Sequence, residues 1–498
     1  PNYSVPTTTF VPGPGSGCAP LNLFGENGVS DEALAFVMTD LANEVKLTQH
    51  VVTASVTGDF GAYFTLPGGP ISFSVGGEYR KESSDFTPDQ LLQDGVILDR
   101  VAVSAQGGSF DVWEGFAELQ APVLRDVPGA HLLQFGAAIR LSDYSSVGTT
   151  TTWKVDGTYA PVRDVRLRAT YSESVRAPDI NELFTAQSGF AARVIDPCDV
   201  VNLGAGTDSR GPNCAALLSG LGIDAATYNP SSNPAWRGSI SGLSLGNLSL
   251  QEETAKTWTA GAVFTPSFVP RLMVSFDWYD IKLQNAISSP SAQEIIDLCV
   301  DQPSLNNPFC NNVSRNAATG FLNGFLVAPA NVSRFRSSGA DVAVNYSFEP
   351  TADMGLFNLH FAGGYLDKLS FIATPGAAQT VEREEVFAPK WSGNFDLTWT
   401  KGNLTANYGI SYFSKTRRFS AAEILANPDI ADSKYFYIRE KWEHDIRLAV
   451  DAYDDRVTFY GGVNNLFDRR PVLDEFNYPV SFRGRFVYFG IKASLSGV

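Results

Sequence analysis

Long segments with a two-residue hydrophobic period run through most of this sequence. In one of them Trp391, Phe395 and Trp399 occupy one face, and polar residues alternate with that row. The segments 271–286 and 485–495 have the same pattern. A two-residue period with one apolar face is typical of a strand buried on one side. Most of these segments exceed the about 5–6 residues of a globular strand and reach the about 9–11 residues that cross a bilayer.

The connections between these segments are short at one end and include long loops at the other. This arrangement of long alternating strands is the signature of an outer-membrane barrel. The fold class predicted is all-β, a transmembrane antiparallel β-barrel with about fifteen strands, long extracellular loops and short periplasmic turns. The predicted strands are 50–60, 71–86, 110–124, 131–144, 150–160, 162–175, 252–265, 271–286, 333–348, 356–372, 390–400, 403–413, 434–452, 457–465 and 485–495.

Composition argues against a helical membrane protein and against a nucleic-acid-binding protein. The chain has 498 residues, 44% of them hydrophobic and 18% charged, and it contains none of the roughly 20-residue apolar runs of a helical membrane protein. The net charge of −16 argues against a nucleic-acid partner, because phosphate binding needs a basic surface. No signal peptide opens the chain, and we interpret its start as a processed or truncated end.

Five cysteines predict two local disulfides. Cys198 and Cys214 lie in one long predicted loop, and Cys299 and Cys310 in another. Two such pairs indicate an oxidising compartment, and each loop closure would contribute about 3 kcal/mol. Cys18 is either free or paired with a cysteine upstream of residue 1, and we favour the second.

Several motifs resemble those of the TonB-dependent outer-membrane receptors. The strand that ends near Val175 runs into Arg176-Ala177-Pro178-Asp179, and Glu182-Leu183-Phe184 follows, as in the R-A-P-(D/S)-x-x-E-L-F segment of that family. The segment 463–471 is similar to the family's V-x-N-L-F-D-(K/R)-x-P motif. The segments 18–25 and 248–258 and the strand 333–346 also resemble family segments, so the resemblance covers nearly the whole chain.

The resemblance implies a plugged barrel of 22 strands. We therefore expect residues 1–44 to form an extracellular loop with a short helix within 30–42, and 45–498 to be the C-terminal portion of the barrel. About seven strands and the plug would precede Pro1 or belong to a separate chain. The family ends on an aromatic residue, whereas this chain ends Ser496-Gly497-Val498.

The resemblance also implies active uptake of a scarce nutrient, such as a siderophore or an oligosaccharide. Its expected partners are the TonB energy-coupling complex, through a plug outside this chain, outer-membrane lipid and other outer-membrane or surface proteins. No cofactor is implied. The expected location is the bacterial outer membrane.

Cargo would bind the extracellular loops 177–250 and 287–330, because such loops carry binding. Their aromatic residues either contact cargo or pack the loops on themselves, and packing is the favoured alternative. The candidates are Phe184, Phe190, Tyr228, Trp236, Phe309, Phe321 and Phe325. The first loop has six carboxylates after Arg176 and three arginines, so it leans towards a neutral or oligosaccharide-like cargo rather than an anionic one.

Scaffold roles are predicted for the conspicuous polar residues. Arg176 should pair with a carboxylate at the barrel rim, and Asn464 and Asn465 should hydrogen-bond a strand end. Asp179/Glu182 and Ser291/Glu294 have the spacing of helix capping boxes. The acidic set Asp196, Asp199 and Asp208 fits no standard calcium loop, so no metal site is predicted.

Three other functions stay open. The chain could be a self-contained porin-like channel of about 14 or 16 strands, an outer-membrane hydrolase, or a soluble multi-domain β protein. The enzyme hypothesis is weak because the four histidines lie on different strands and no hydrolase motif occurs. His360 is predicted on the lumen face as a solvated polar residue. We predict no catalytic residue.

Overall fold

The computed structural model describes residues 29–97, 101–234, 236, 239–351, 353–372, 379–385, 388–419, 423–424, 427–453, 456–469 and 483–494. Cys18, the segment that precedes residue 29 and the chain end at 495–498 lie outside this range, and so do the predictions made for them.

β-Strands make up most of the described chain. They are β1 (Glu44–Asp59), β2 (Thr65–Leu66), β3 (Gly69–Pro70), β4 (Ser72–Thr87), β5 (Gln106–Val127), β6 (Ala130–Tyr144), β7 (Gly148–Val162), β8 (Val165–Arg176), β9 (Ser188–Arg193), β10 (Ser239–Ser244), β11 (Glu253–Phe264), β12 (Leu272–Ser288), β13 (Val313–Arg315), β14 (Leu322–Val327), β15 (Ala330–Phe348), β16 (Leu356–Ile372), β17 (Thr380–Val381), β18 (Trp391–Lys401), β19 (Leu404–Phe413), β20 (Thr416–Arg417), β21 (Tyr437–Ile438), β22 (Lys441–Ala452), β23 (Val457–Asn464) and β24 (Phe486–Ala493).

One large sheet, which we call the wall, contains 16 of these strands. Fifteen of them form a single path in the order β1-β4-β5-β6-β7-β8-β11-β12-β15-β16-β18-β19-β22-β23-β24, and β17 pairs only with β16. Every pairing along the path is antiparallel between neighbours. The predicted all-β antiparallel architecture and its fifteen strands are therefore confirmed.

The strand predicted for 434–452 is wrong at its start. The structure begins it at Lys441, because Ser433–Tyr435 forms a 3-10 turn and β21 pairs with β20 in a separate small hairpin. Residues 435–437 are all aromatic. Aromatic residues are common in strands, so the sequence favoured a strand over this turn. The turn predicted at Pro161 also moves, because β7 continues to Val162.

Five short α-helices have both ends within the described ranges. They are α1 (Asp31–Val37), α2 (Gln90–Gln93), α3 (Ile180–Phe184), α4 (Arg210–Gly220) and α5 (Ala292–Asp301). The capping boxes predicted for α3 and α5 are both present, with Asp179 and Ser291 at the N-caps. Of the helices in the described ranges, none has the length and apolar character needed to span a membrane.

The two faces of the wall differ in chemistry. Cross-strand aromatic pairs stack on one face with ring centroids 4.3 to 5.3 Å apart. We call this row the upper aromatic belt, and the surface that carries it the outer face. The belt consists of Tyr79, Trp113, Trp153, Tyr171, Trp258, Trp278, Tyr365, Trp391, Tyr412 and Trp442. The end of the wall nearer to the belt carries the long connections, and we call it the loop end.

The opposite face is polar. Arg140 donates to Glu114 at 2.8 Å, and Arg168 makes a two-pronged pair with Asp277 at 2.6 and 2.8 Å. His360 lies on this face, as predicted, with its Nδ1 2.7 Å from the Asn345 side-chain oxygen. An apolar outer face with an aromatic belt and a polar inner face is the arrangement of a barrel wall in lipid.

Short turns join the strands at the end away from the long connections. Gly355 ends the turn before β16 with φ +80°, where an added Cβ would meet the Thr400 carbonyl oxygen at 2.4 Å. Only glycine combines that backbone conformation with such a close approach. The turn between β15 and β16 therefore needs a glycine at this position.

Candidate functional site

Two long connections at the loop end fold together into one body. The first joins β8 to β11 over 177–252, and the second joins β12 to β15 over 289–329. We call them together the loop unit. Their four strands form a small sheet in the order β13-β14-β10-β9, in which β10 of the first connection pairs in parallel with β14 of the second. The two connections are therefore interlocked by backbone hydrogen bonds.

Both predicted disulfides are present in the loop unit. Cys198 is bonded to Cys214 and Cys299 to Cys310, with Cα atoms 5.2 and 4.3 Å apart. The cysteines share one buried cluster with Leu218 on α4. Each connection thus contains one internal disulfide, and apolar side chains pack the two connections against each other.

The predicted loop aromatics lie mostly within the hydrophobic clusters of the loop end. Tyr228, Phe309 and Phe325 are buried, while Trp236 and Phe321 pack on them partly exposed. Two more flank these clusters. Phe184 packs beside Leu183 and Leu250 in a third cluster at the rim, and Phe190 packs edge-on against Phe325 and is 37% exposed. Phe190 is thus the most accessible of the seven.

A buried ion pair joins the two connections. Arg315 donates to both carboxylate oxygens of Asp196 at 2.7 Å and to the Gly320 carbonyl oxygen at 2.9 Å. Tyr228 donates to Asp196 at 2.8 Å, and burial, together with that carboxylate, raises the pKa of the phenol above its ordinary value. The Asp196 side chain is 1% exposed. The charges are compensated within this cluster, so its role is to hold the loop unit together.

A second ion pair fixes helix α4 against helix α5. Arg210 donates to Asp301 at 2.6 and 2.7 Å and to Asp297 at 3.2 Å. The hydrogen bonds that Arg210 donates to Asp301 raise the pKa of the guanidinium, whereas burial raises the pKa of the Asp297 carboxyl. Of the two carboxylates, Asp301 therefore makes the shorter and stronger ion pair with Arg210.

The loop unit is attached to the wall through Arg176, at the end of β8. This guanidinium donates to Glu253 at 2.6 and 2.8 Å and to Glu182 at 2.9 and 3.1 Å. Glu253 also accepts from the Ile287 backbone N–H at 2.7 Å. One side chain thus ties three pieces of the rim together, which confirms the predicted rim pairing of Arg176.

The other polar residues singled out from the sequence have structural partners. Asp199 accepts from the backbone N–H groups of Val201 and Ser231 at 3.1 and 2.9 Å. Asn465, the residue after β23, is buried, and its side chain bonds both the N–H and the carbonyl oxygen of Arg469 at 2.8 Å. It thus holds the turn that follows the strand, while the hydrogen bond predicted for Asn464 stays a prediction. Asp208, the third residue of the acidic set, lies exposed before α4.

A shallow cavity of about 420 Å³ opens on the small sheet. Its lining has no charged side chain and combines amide and hydroxyl groups with the Phe325 ring. The lining residues are Ser241, Gly242, Leu243, Asn311, Asn312, Val313, Ser314, Gly324, Phe325 and Leu326. Sequence patterns did not predict these strands, because each has only three to six residues. A glycine inside a strand often marks a place where another chain segment or a ligand comes close to the backbone, and Gly242 and Gly324 are such glycines.

Comparison with known proteins identifies the family. The family model described as TonB dependent receptor-like, beta-barrel matches residues 12–466. The chain belongs to the TonB-dependent receptor family. No curated protein matches the sequence. Members of this family are receptors and transporters of the outer membrane, and the barrel predicted from the motifs is the family's own fold.

Three solved receptors show the same fold. A mutant of the ferric enterobactin receptor PfeA from Pseudomonas aeruginosa in complex with enterobactin aligns with TM-score 0.53 and 14% identity, over 86% of this chain and 50% of that one. The siderophore receptor PirA from Acinetobacter baumannii gives 0.54 and 13%, over 90% and 55%. A double mutant of the Serratia marcescens hemophore receptor HasR, in complex with its hemophore HasA and heme, gives 0.51 and 14%, over 91% and 59%.

The TonB-dependent receptor chain described here thus spans 50 to 59% of the length of these three receptors. At this identity the likeness extends to the fold alone.

Proposed function

We propose that this chain supplies wall and ligand loops for the energy-coupled uptake of a scarce nutrient across the bacterial outer membrane. Cargo would bind the loop unit and pass along the polar inner face. Energy would come from a TonB complex acting on a plug outside residues 1–498. The observation that carries this proposal is the loop unit, a folded body at the loop end of a family barrel.

Rigidity supports a binding role for the loop unit. Two disulfides, the parallel pairing of β10 with β14 and the Asp196–Arg315 pair restrict its motion. A pre-organised surface binds more tightly, because less conformational entropy is lost when cargo is bound. The ion pairs of Arg176 with Glu182 and Glu253 hold the loop unit in a fixed position on the wall.

The cavity on the small sheet favours a neutral, hydroxylated cargo. Its amide and hydroxyl groups, such as Asn311 and Ser314, can exchange hydrogen bonds with hydroxyl groups, and the partly exposed Leu243 and Leu326 offer an apolar surface. A ferric siderophore with net negative charge would find no cation in that lining. Phe190, beside Phe325, is the aromatic residue that we expect cargo to contact first.

Uptake assays in the source bacterium test this proposal. The connections 177–252 and 289–329 are replaced by short Gly-Ser linkers, and cells are supplied separately with iron-55 siderophores, heme and radiolabelled malto-oligosaccharides. Each measurement is repeated in a strain without TonB and after a protonophore. Heat-modifiable migration on gels confirms that the shortened barrel reaches the membrane.

We expect one probe class to accumulate only with the intact loop unit, TonB and a proton gradient. Accumulation that persists without TonB or a gradient would instead support the porin-like channel. Substitution of Phe190 by Ala, with the exposed Val201→Ala as the matched control, should raise the concentration for half-maximal uptake without changing the amount of receptor.

A further inference from the structure

A patch of basic side chains lies on the outer face of the wall, just above the upper aromatic belt. The lining of a cavity of about 510 Å³ at this place includes five basic side chains and one carboxylate, Asp367, and its other residues are uncharged. The basic residues are Lys282, Arg334, Arg336, Lys368 and Arg383. The chain as a whole has a net charge of −16, so this concentration of positive charge is local.

Cross-strand register places the patch on the outer face. Trp278 of the belt, Asp280 and Lys282 alternate along β12, and Lys282 pairs with Arg336 of β15. Arg336 also reaches Asp280 at 2.9 Å. In β16 a bulge at Asp367 shifts the alternation, so that Lys368 stands opposite Ser338 on the same outer face. Bulges re-aim side chains in this way.

An apolar groove continues the patch away from the loop end, on β12, β15 and β16 and onward across β18, β19 and β22. Its volume is about 810 Å³. Belt residues such as Trp278 and Trp391 line it, together with Phe361 and Phe395. Its floor is formed by Gly363 and Gly393, which are direct cross-strand partners.

Both floor glycines sit close to their neighbours. A Cβ added at Gly363 would meet the Phe361 ring at 2.8 Å, and one added at Gly393 would meet the Ala362 carbonyl oxygen at 3.3 Å. The absence of a side chain at these two positions keeps the surface of the wall low here. Along β12, the four residue steps from Trp278 to Lys282 span about 13 Å, so the charged end of the patch lies well above the belt.

We propose that this composite surface binds a phosphorylated, multiply acylated lipid of the outer leaflet, with phosphate on the basic patch and an acyl chain in the groove. The inference rests on the membrane placement within the proposed function, but not on cargo uptake. Isolated lysines above a belt commonly extend towards water. Five cations around one cavity directly above an open groove match a single anionic amphiphile better than scattered solvent contacts.

Native mass spectrometry of the protein extracted in mild detergent tests the proposal. The probes are hexa-acylated lipid A with two phosphates, the same lipid with both phosphates removed, phosphatidylglycerol and inorganic phosphate. The charge variant is Lys282→Glu/Arg334→Glu/Lys368→Glu. The matched control is Lys46→Glu/Lys81→Glu, at exposed positions on β1 and β4. The groove variant is Gly393→Leu.

We expect the native protein to retain bis-phosphorylated lipid A at least about tenfold better than the charge variant does, from the loss of several surface cations. The control should match the native protein, and Gly393→Leu should also reduce retention. Inorganic phosphate and the phosphate-free lipid should bind weakly or not at all. Phosphatidylglycerol, with one phosphate and two chains, should be retained less than lipid A.

Equal retention by the charge variant and the native protein would overturn the proposal, as would equal binding of the phosphate-free lipid. Binding of inorganic phosphate as tight as that of lipid A would show an anion site without lipid specificity and would also overturn it. If the charge variant does not assemble, lipid retention is measured instead on the neutral variant Lys282→Gln/Lys368→Gln and on Gly393→Leu. Retention equal to that of the native protein in both would overturn the proposal. Nutrient uptake, measured on the same variants, separates failure of this inference from failure of the proposed function.

Discussion

The wall and the loop unit bury their apolar residues in opposite ways. In the wall, large hydrophobic side chains point outward, and Phe489 is 91% exposed. In the loop unit Leu218 is 0% exposed, beside two disulfides. The wall relies on lipid to cover its apolar face and on continuous strand pairing for its backbone groups. The loop unit faces water, so it needs a core, cross-links and compensated charges of its own.

The two regions therefore differ in where a charge is tolerated. Arg168 and Asp277 pair on the inner face with the arginine side chain 51% exposed, whereas Arg315 and Asp196 pair with 6% and 1% exposed. A solvated ion pair contributes little to stability, but breaking a buried pair leaves an uncompensated charge. The following predictions test this difference, from the largest expected effect to the smallest.

Arg315→Ala should destabilise the loop unit by about 3–5 kcal/mol, because it leaves Asp196 buried and unpaired. Hydrogen exchange should show faster exchange of the β10 and β14 amides, while the wall strands keep their protection. Arg168→Ala on the inner face is the matched control, with an expected loss of at most about 1 kcal/mol. Equal losses from the two substitutions would contradict the comparison.

Cys198→Ala/Cys214→Ala should cost the loop unit about 3 kcal/mol through the greater freedom of the unfolded loop. Limited proteolysis should then cut 177–252 faster than in the native protein, without loss of heat-modifiable migration by the barrel. Reduction of the native protein should reproduce the effect. If proteolysis is unchanged, the apolar cluster alone holds this connection.

Phe395→Arg should cost the wall about 2–3 kcal/mol, because Phe395 lies midway along β18 on the lipid-facing surface. Reversible unfolding in lipid vesicles measures the change. Asn394→Arg, one residue away on the inner face, is the control and should change stability far less. A larger cost for the inner-face arginine would mean that the two faces have been assigned the wrong way round.

Asp301→Asn should destabilise the contact between α4 and α5 by about 1–2 kcal/mol, because Arg210 loses a two-pronged charged partner. Asp297→Asn should have a smaller effect. Burial already raises the pKa of the Asp297 carboxyl, so its charge is costly to keep, and its bond to Arg210 is longer. Thermal unfolding followed by tryptic cleavage after Arg210 compares the two. A larger destabilisation by Asp297→Asn would mean that Asp297, and not Asp301, is the main partner of Arg210.

The wall could be predicted almost completely from the sequence, whereas most of the loop unit could not. The fifteen strands of the wall's main path follow from the two-residue period, whereas the two-residue β17 was missed. The ends were less accurate, because β1 begins at Glu44, β7 continues to Val162 and β22 begins only at Lys441. The wall strands are long enough for the period to be read, while β9, β10, β13 and β14 are not. The disulfides followed from spacing, but the partner of Asp196 lies 119 residues along the chain.

Local chemistry repeated along the chain is what the sequence alone determined. It gave the strands and their apolar face, the two helix caps, the cysteine pairs and the expectation that Arg176 pairs with a carboxylate, although not which one. Only the tertiary structure decided which distant groups meet. The parallel pairing of β10 with β14, the Asp196–Arg315 pair and the bulge that turns Lys368 outward each depend on residues far apart in sequence or on a register shift. The physical reason is that alternation is a property of neighbouring residues, while pairing between distant segments depends on the packing of the whole chain.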